Sequence, residues 1–88
     1  MRIKFKLYAM LADHMPLEVG SNRRNGNEIW LDVEEGATVQ AVIDRFHLPT
    51  QLVHLVLVDG AFVKPEHRSM RALAEGETLA IWPPVAGG

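Results

Sequence analysis

The residues best suited to chemistry stand at the end of the chain, where Pro83 and Pro84 are followed by Val85, Ala86, Gly87 and Gly88. The reacting group there is the carboxylate of Gly88. A carboxylate at neutral pH is a poor electrophile, so it needs a leaving group before another atom can displace its oxygen. Two glycines without Cβ atoms can thread a narrow channel at little steric cost. Two prolines stiffen the root of such a tail and lower the entropy lost when it is inserted. Other chemistries find little support. The chain has no cysteine, which excludes disulfides, thiolate metal sites and any sulfur carried on a thiol. His14, His47, His54 and His67 form no HExxH or i, i+4 pair, so they read as solvated or locally hydrogen-bonded groups, and no metal is expected. No Ser-His-Asp or Cys-His set, catalytic carboxylate pair or P-loop can be assembled. The chain alone does not read as an enzyme.

Composition narrows the class further. With 88 residues, 48% of them hydrophobic, the chain makes one compact domain and no more. Nine basic against eleven acidic residues leave a net charge of −2, without the basic footprint of a nucleic-acid binder. The N-terminus lacks a sustained apolar stretch of the secretory type, and no apolar run approaches the roughly 20 residues that span a bilayer. A cytoplasmic protein without membrane or nucleic-acid partners is expected.

The elements that must position the tail follow from hydrophobic period. In residues 2–8, Ile3, Phe5 and Leu7 alternate with Arg2, Lys4 and Lys6, as in a half-buried strand, and Tyr8 falls on the outward face. Residues 10–15 suit a short helix or helical turn before Pro16, and residues 20–27 form a loop tip rich in Asn and Gly. A second strand, 28–33, turns Ile29, Leu31 and Val33 inward and Trp30 outward, where ordinary surface packing is expected. Thr38 is a candidate N-cap preceded by Glu34 and Glu35, and Val39, Val42, Ile43 and Phe46 follow at helical spacing. Residues 52–58 are almost wholly apolar, as in a strand covered on both faces or at a sheet's most buried position. Asp59-Gly60 makes a turn into a short return strand, 61–64. Residues 65–74 read as an irregular crossing anchored by Met70 and Leu73. The last strand, 78–82, faces Leu79 and Ile81 inward and Ala80 and Trp82 outward before Pro83 ends the ladder. One helix against a mixed sheet gives an α+β roll.

The ending IWPPVAGG, together with LVLVDGAFV and ALAEGETLAIW, resembles the MoaD/ThiS family of ubiquitin-like sulfur-carrier proteins. The likeness is nearest to MoaD, the small subunit of molybdopterin synthase, and covers the whole chain, most strongly from Leu52 onward. It implies a β-grasp domain over residues 1–82 and a flexible tail over 83–88. An E1-like adenylating enzyme of the MoeB/ThiF type would use ATP to form an acyl-adenylate at Gly88. A sulfur donor would convert that to a thiocarboxylate, which passes its sulfur to a pterin precursor on the large synthase subunit. No cofactor is expected on this chain, and its terminus would be ready for activation as translated. The same resemblance matches Tyr8, Phe62 and Trp82 to an apolar docking surface, and strand parity independently sets Tyr8 and Trp82 outward. Residues 10–27 depart from the family's usual first helix. Alternatives are a ThiS-like carrier for thiamine or another metabolite, a ubiquitin-like protein modifier, and a passive interaction module in which the tail is inert.

Overall fold

The computed structural model of the chain describes residues 1–84. Val85, Ala86, Gly87 and Gly88 lie outside the described residues. In chain order the elements are β1 (Arg2–Leu7), β2 (Glu18–Val19), β3 (Asn22–Arg23), β4 (Glu28–Asp32), α1 (Val39–Arg45), β5 (Leu55–Val58), β6 (Ala61–Phe62) and β7 (Thr78–Trp82). Short 3-10 helices stand at Ala9–His14, Thr50–Leu52 and Pro65–His67.

Five strands form one mixed sheet in the order β4-β1-β7-β5-β6. The two terminal strands, β1 and β7, lie parallel at its centre with Phe5 opposite Leu79 and Leu7 opposite Ile81. Strands β4 and β5 flank them antiparallel. Alternation sends Ile3, Phe5, Leu7, Ile29, Leu31, Val56, Val58, Leu79 and Ile81 to one face, where they pack with Val39, Val42 and Ile43 of α1. Phe46 closes the helix and stacks on Phe5, ring centroids 5.1 Å apart. The helix starts as its sequence dictates. Thr38 has extended backbone and its hydroxyl accepts from the Ala41 N–H at 3.1 Å, a cap whose loss typically costs about 1 kcal/mol. Glu34 and Glu35 precede that cap and do not enter the first helical turn, which holds no acidic residue.

Several local expectations are corrected. Residues 20–27 are more than a loop tip, because β3 falls within them and pairs with β2 as a small separate hairpin. The 3-10 helix Ala9–His14 and this hairpin occupy the stretch where a longer first helix was absent from the sequence pattern. Strand β5 begins at Leu55, after a 3-10 turn that the Val53 N–H closes on the Thr50 carbonyl at 3.2 Å, and β6 is only two residues long. In the crossing segment Leu73 is buried as expected, but Met70 is 70% exposed and anchors nothing. What holds that segment is polar. Arg71 forks onto Glu77 through bonds of 2.7 and 3.3 Å, and the Ala74 N–H donates to the same carboxylate. The Arg71 hydrogen bond, opposed by partial burial, holds the Glu77 carboxyl below its usual range. Among the described residues no helix is long and apolar enough to cross a membrane, and no group of three or more His, Asp or Glu is gathered as for a metal.

One residue is strained at a point the fold depends on. Ala9 has φ +52° because Tyr8 is still bonded to β7 through Ile81, so the chain must turn within one residue to start the 3-10 helix. Left-handed backbone costs an L-residue roughly 1–2 kcal/mol, while glycine adds about 0.4–1 kcal/mol of unfolded-state entropy. The first term wins. Ala9→Gly is therefore expected to raise the unfolding free energy by about 0.5–1 kcal/mol in urea titrations; a decrease would show that Ala9 is not strained.

Candidate functional site

The strand that leads into the tail sets the site. Within β7, Leu79 and Ile81 point into the core, so Ala80 and Trp82 must point to the opposite face of the sheet. Register then selects their neighbours. Leu55 lies opposite Trp82, Leu57 opposite Ala80, and Phe62 opposite Leu57. On the other side the Tyr8 N–H donates to the Ile81 carbonyl at 3.1 Å, carrying the β1–β7 pairing one residue further. That bond brings the Tyr8 ring onto Trp82, with centroids 4.0 Å apart and planes 8° from parallel.

The result is a continuous apolar face on the side of the sheet away from α1. Phe62 is 54% exposed and Leu55 37%, while Tyr8, Leu57 and Trp82 are half-buried. Towards β4 the face becomes polar, with Lys4 and Lys6 both on the Glu28 carboxylate at 3.1 and 3.9 Å. Trp30 stands beyond them with the Arg2 and Lys4 cations each 5.1 Å from its ring, a cation–π arrangement where sequence reading expected ordinary surface packing. The apolar face carries no acid–base pair. Exposed aromatic side chains gathered in this way are typical of binding surfaces.

All three aromatic residues singled out in sequence, Tyr8, Phe62 and Trp82, thus share one face at the root of the tail. Pro83, the first tail residue, is buried and Pro84 is exposed. Gly88, Gly87, Ala86 and Val85 fall outside the described residues. Sequence reading misses Leu55 and Leu57: an almost unbroken apolar strand reads as covered on both faces or as the most buried of its sheet, whereas this chain covers one face of β5 and leaves Leu55 and Leu57 on the other.

Arg68 was also missed. It is 7% exposed, the one buried charged side chain among the described residues, and it sits beneath the tail root. Its guanidinium donates to the His54 carbonyl at 3.2 Å and the Val63 carbonyl at 3.5 Å, and the His54 N–H in turn donates to the Trp82 carbonyl at 3.1 Å. Burial lowers the Arg68 pKa, and nearby Glu66 opposes that shift. This chain of bonds ties the crossing segment, β5 and the end of β7 together. No spacing rule in the sequence marks it.

Comparison with known proteins places this geometry. The ThiS family model matches residues 22–88. Two crystal structures of a Haloferax volcanii protein superimpose on the chain. One is described as SAMP1, with 24% identity, TM-score 0.66 and full coverage of both chains. The other is described as small archaeal modifier protein 1, with 23% identity, TM-score 0.65, and 96% of this chain and 98% of that one covered. No curated protein sequence matches significantly.

The stacked pair is open to direct measurement. In a Trp30→Phe background Trp82 is the single remaining tryptophan, since the chain has two. Adding Tyr8→Ala is expected to shift its emission to longer wavelength and to cost about 0.5–1.5 kcal/mol beyond the lost burial. Unchanged emission would mean the rings do not stack in solution.

Proposed function

The chain belongs to the ThiS family, with the β-grasp, ubiquitin-like fold of its structural neighbours, and on that premise we propose that it is a sulfur carrier working through the Gly88 carboxylate. The observation that carries the reading is the joining of an exposed apolar face to a Pro-Pro-Val-Ala-Gly-Gly ending at Trp82. A partner that grips Tyr8, Leu55, Phe62 and Trp82 holds the root of the tail at a fixed distance from its own active site. The glycines can then reach inside. Oriented binding of this kind converts the reaction of the carboxylate into an effectively intramolecular one.

In the proposed cycle the Gly88 carboxylate attacks ATP in an E1-like adenylating enzyme, releasing pyrophosphate. Hydrosulfide supplied by a donor then attacks the acyl carbon, the C–S bond forming as the C–O bond to AMP breaks, which leaves a thiocarboxylate, AMP and a proton. The ATP site, the donor and the acceptor pocket belong to partners, and this chain contributes the reacting group and the docking face. The double proline in the tail favours molybdopterin as the destination of the sulfur, with this chain as the small subunit of the synthase. A ThiS-like role toward thiamine is the alternative within the same chemistry. Protein modification is the second reading, since the structural neighbours include one described as a modifier. At 23–24% identity that likeness carries the fold alone, and isopeptide adducts on lysines of other proteins would be its mark.

Phe62 is the cleanest probe of docking because it is exposed on a two-residue edge strand. Phe62→Lys is expected to leave the melting curve unchanged while weakening binding to the adenylating enzyme by about 2–4 kcal/mol. Deleting Gly87 and Gly88 should preserve binding and abolish ATP–pyrophosphate exchange. A deletion variant that retained full biological activity would instead support the passive module.

A further inference from the structure

Where β7 ends, the ladder loses a donor. The register that sets Leu55 opposite Trp82 continues to His54 opposite Pro83, and proline has no N–H to give. The His54 N–H still donates to the Trp82 carbonyl at 3.1 Å, but the His54 carbonyl has no backbone N–H across from it. Backbone carbonyls held away from water are normally paired. Arg68 supplies the missing bond: its guanidinium donates to the His54 carbonyl at 3.2 Å and, over a longer reach, to the Val63 carbonyl at 3.5 Å.

The choice of arginine for this place needs a reason. Among the described residues Arg68 forms no ion pair, and its side chain bonds only to neutral carbonyls. For stability alone, a well-packed apolar side chain of similar volume often serves as well as a buried charge or better. What arginine adds is a rigid fork of donors. That fork stands on a fixed base, because the Arg68 carbonyl accepts from the Gln40 N–H at 2.9 Å in the first turn of α1, and the Arg68 N–H donates to the Pro65 carbonyl at 3.4 Å. The guanidinium thus reaches the end of the sheet from a frame held on the helix.

We propose that Arg68 is a positioning residue for the tail: its guanidinium replaces the N–H that Pro83 lacks, holds β5 against β7 as far as Trp82, and so fixes the point at which the tail leaves the sheet. The functional part of this inference rests on the sulfur-carrier reading above. In that cycle Gly88 must meet ATP while a partner grips the apolar face, and a misplacement of about 1 Å can cost a hundredfold in rate. If the last rung opened, the root of the tail would wander. Docking would persist, because Phe62 lies on another strand and the Trp82 ring is also held by its stack on Tyr8.

The test compares the full chain with Arg68→Met, which keeps an apolar stem and removes the donors, and with Arg68→Lys, which keeps the charge without the fork. Under conditions where circular dichroism shows each chain folded, the His54 amide of Arg68→Met is expected to exchange its hydrogen at least about tenfold faster relative to the amides of β1, the scale of one lost hydrogen bond. Arg68→Lys should give a smaller increase. Adding Pro83→Ala to Arg68→Met restores an N–H opposite His54 and should return the His54 rate towards that of the parent chain. In ATP–pyrophosphate exchange with the E1-like adenylating enzyme of the same organism, Arg68→Met is expected to lower kcat by about 10–100-fold with the KM for the carrier unchanged. A mere loss of folded protein would instead raise the apparent KM and spare kcat. The proposal is overturned if the His54 amide exchanges no faster relative to β1, if Pro83→Ala brings no recovery, or if kcat is unchanged. A parent chain that supports no exchange at all would overturn the carrier reading instead, and the His54 amide would still decide whether Arg68 replaces the donor that Pro83 lacks.

Discussion

A helix of seven residues cannot cover both faces of a five-stranded sheet, and the rest of the molecule is arranged around that fact. One face closes over α1 and the 3-10 segments into a core whose central side chains, Ile3, Phe5, Leu7, Leu79 and Ile81, are fully removed from water. The other face stays open. Burial of apolar surface stabilises by roughly 25 cal/mol per Å², so each aliphatic or aromatic side chain left on that face is stabilisation forgone by the isolated chain. Polar residues would cost less there, and the β4 side of the same face has them. The concentration of Leu55, Leu57, Phe62, Tyr8 and Trp82 at the other side fits a surface whose burial is deferred until a partner arrives.

The placement of that surface follows from the central strands. Because β1 and β7 run parallel, both end on the same side of the sheet, and the residue after β1, Tyr8, meets the last residue of β7, Trp82. The tail therefore leaves the domain beside the stacked rings. Two further features brace this point: the left-handed turn at Ala9, which frees the chain from β7 at once, and the buried Arg68, which links His54 to the crossing segment. Strain and a buried cation both weaken a small domain, and here both stand beside the end of β7, where Tyr8 bonds Ile81 and His54 bonds Trp82.

The regular elements were legible because each had a one-dimensional period: alternation in β1, β4 and β7, helical spacing from Val39, and Asp59-Gly60 for a turn with φ of +48° and +83°. Parity alone put Tyr8 and Trp82 on the open face. What could not be read depends on register between distant segments. Leu55 looks like a core residue until β5 is seen to pair with β7 at an uncovered face. Met70 looks like an anchor until Arg71 and Glu77 are seen to hold that segment. Arg68 looks like a surface residue until two backbone carbonyls are found against it. The β2–β3 hairpin is too short to show alternation. The role proposed for Gly88 rests on its chemistry and its sequence context alone.

The central claim is that the Gly88 carboxylate carries sulfur, and intact mass of the protein recovered from its own cells tests it most directly. The account predicts a fraction in which one oxygen has been replaced by sulfur, localised by fragmentation to Gly88 and lost when Gly87 and Gly88 are deleted. A chain found only unmodified while the pathway it serves is turning over, or found joined through Gly88 to lysines of other proteins with no thiocarboxylate, would contradict it.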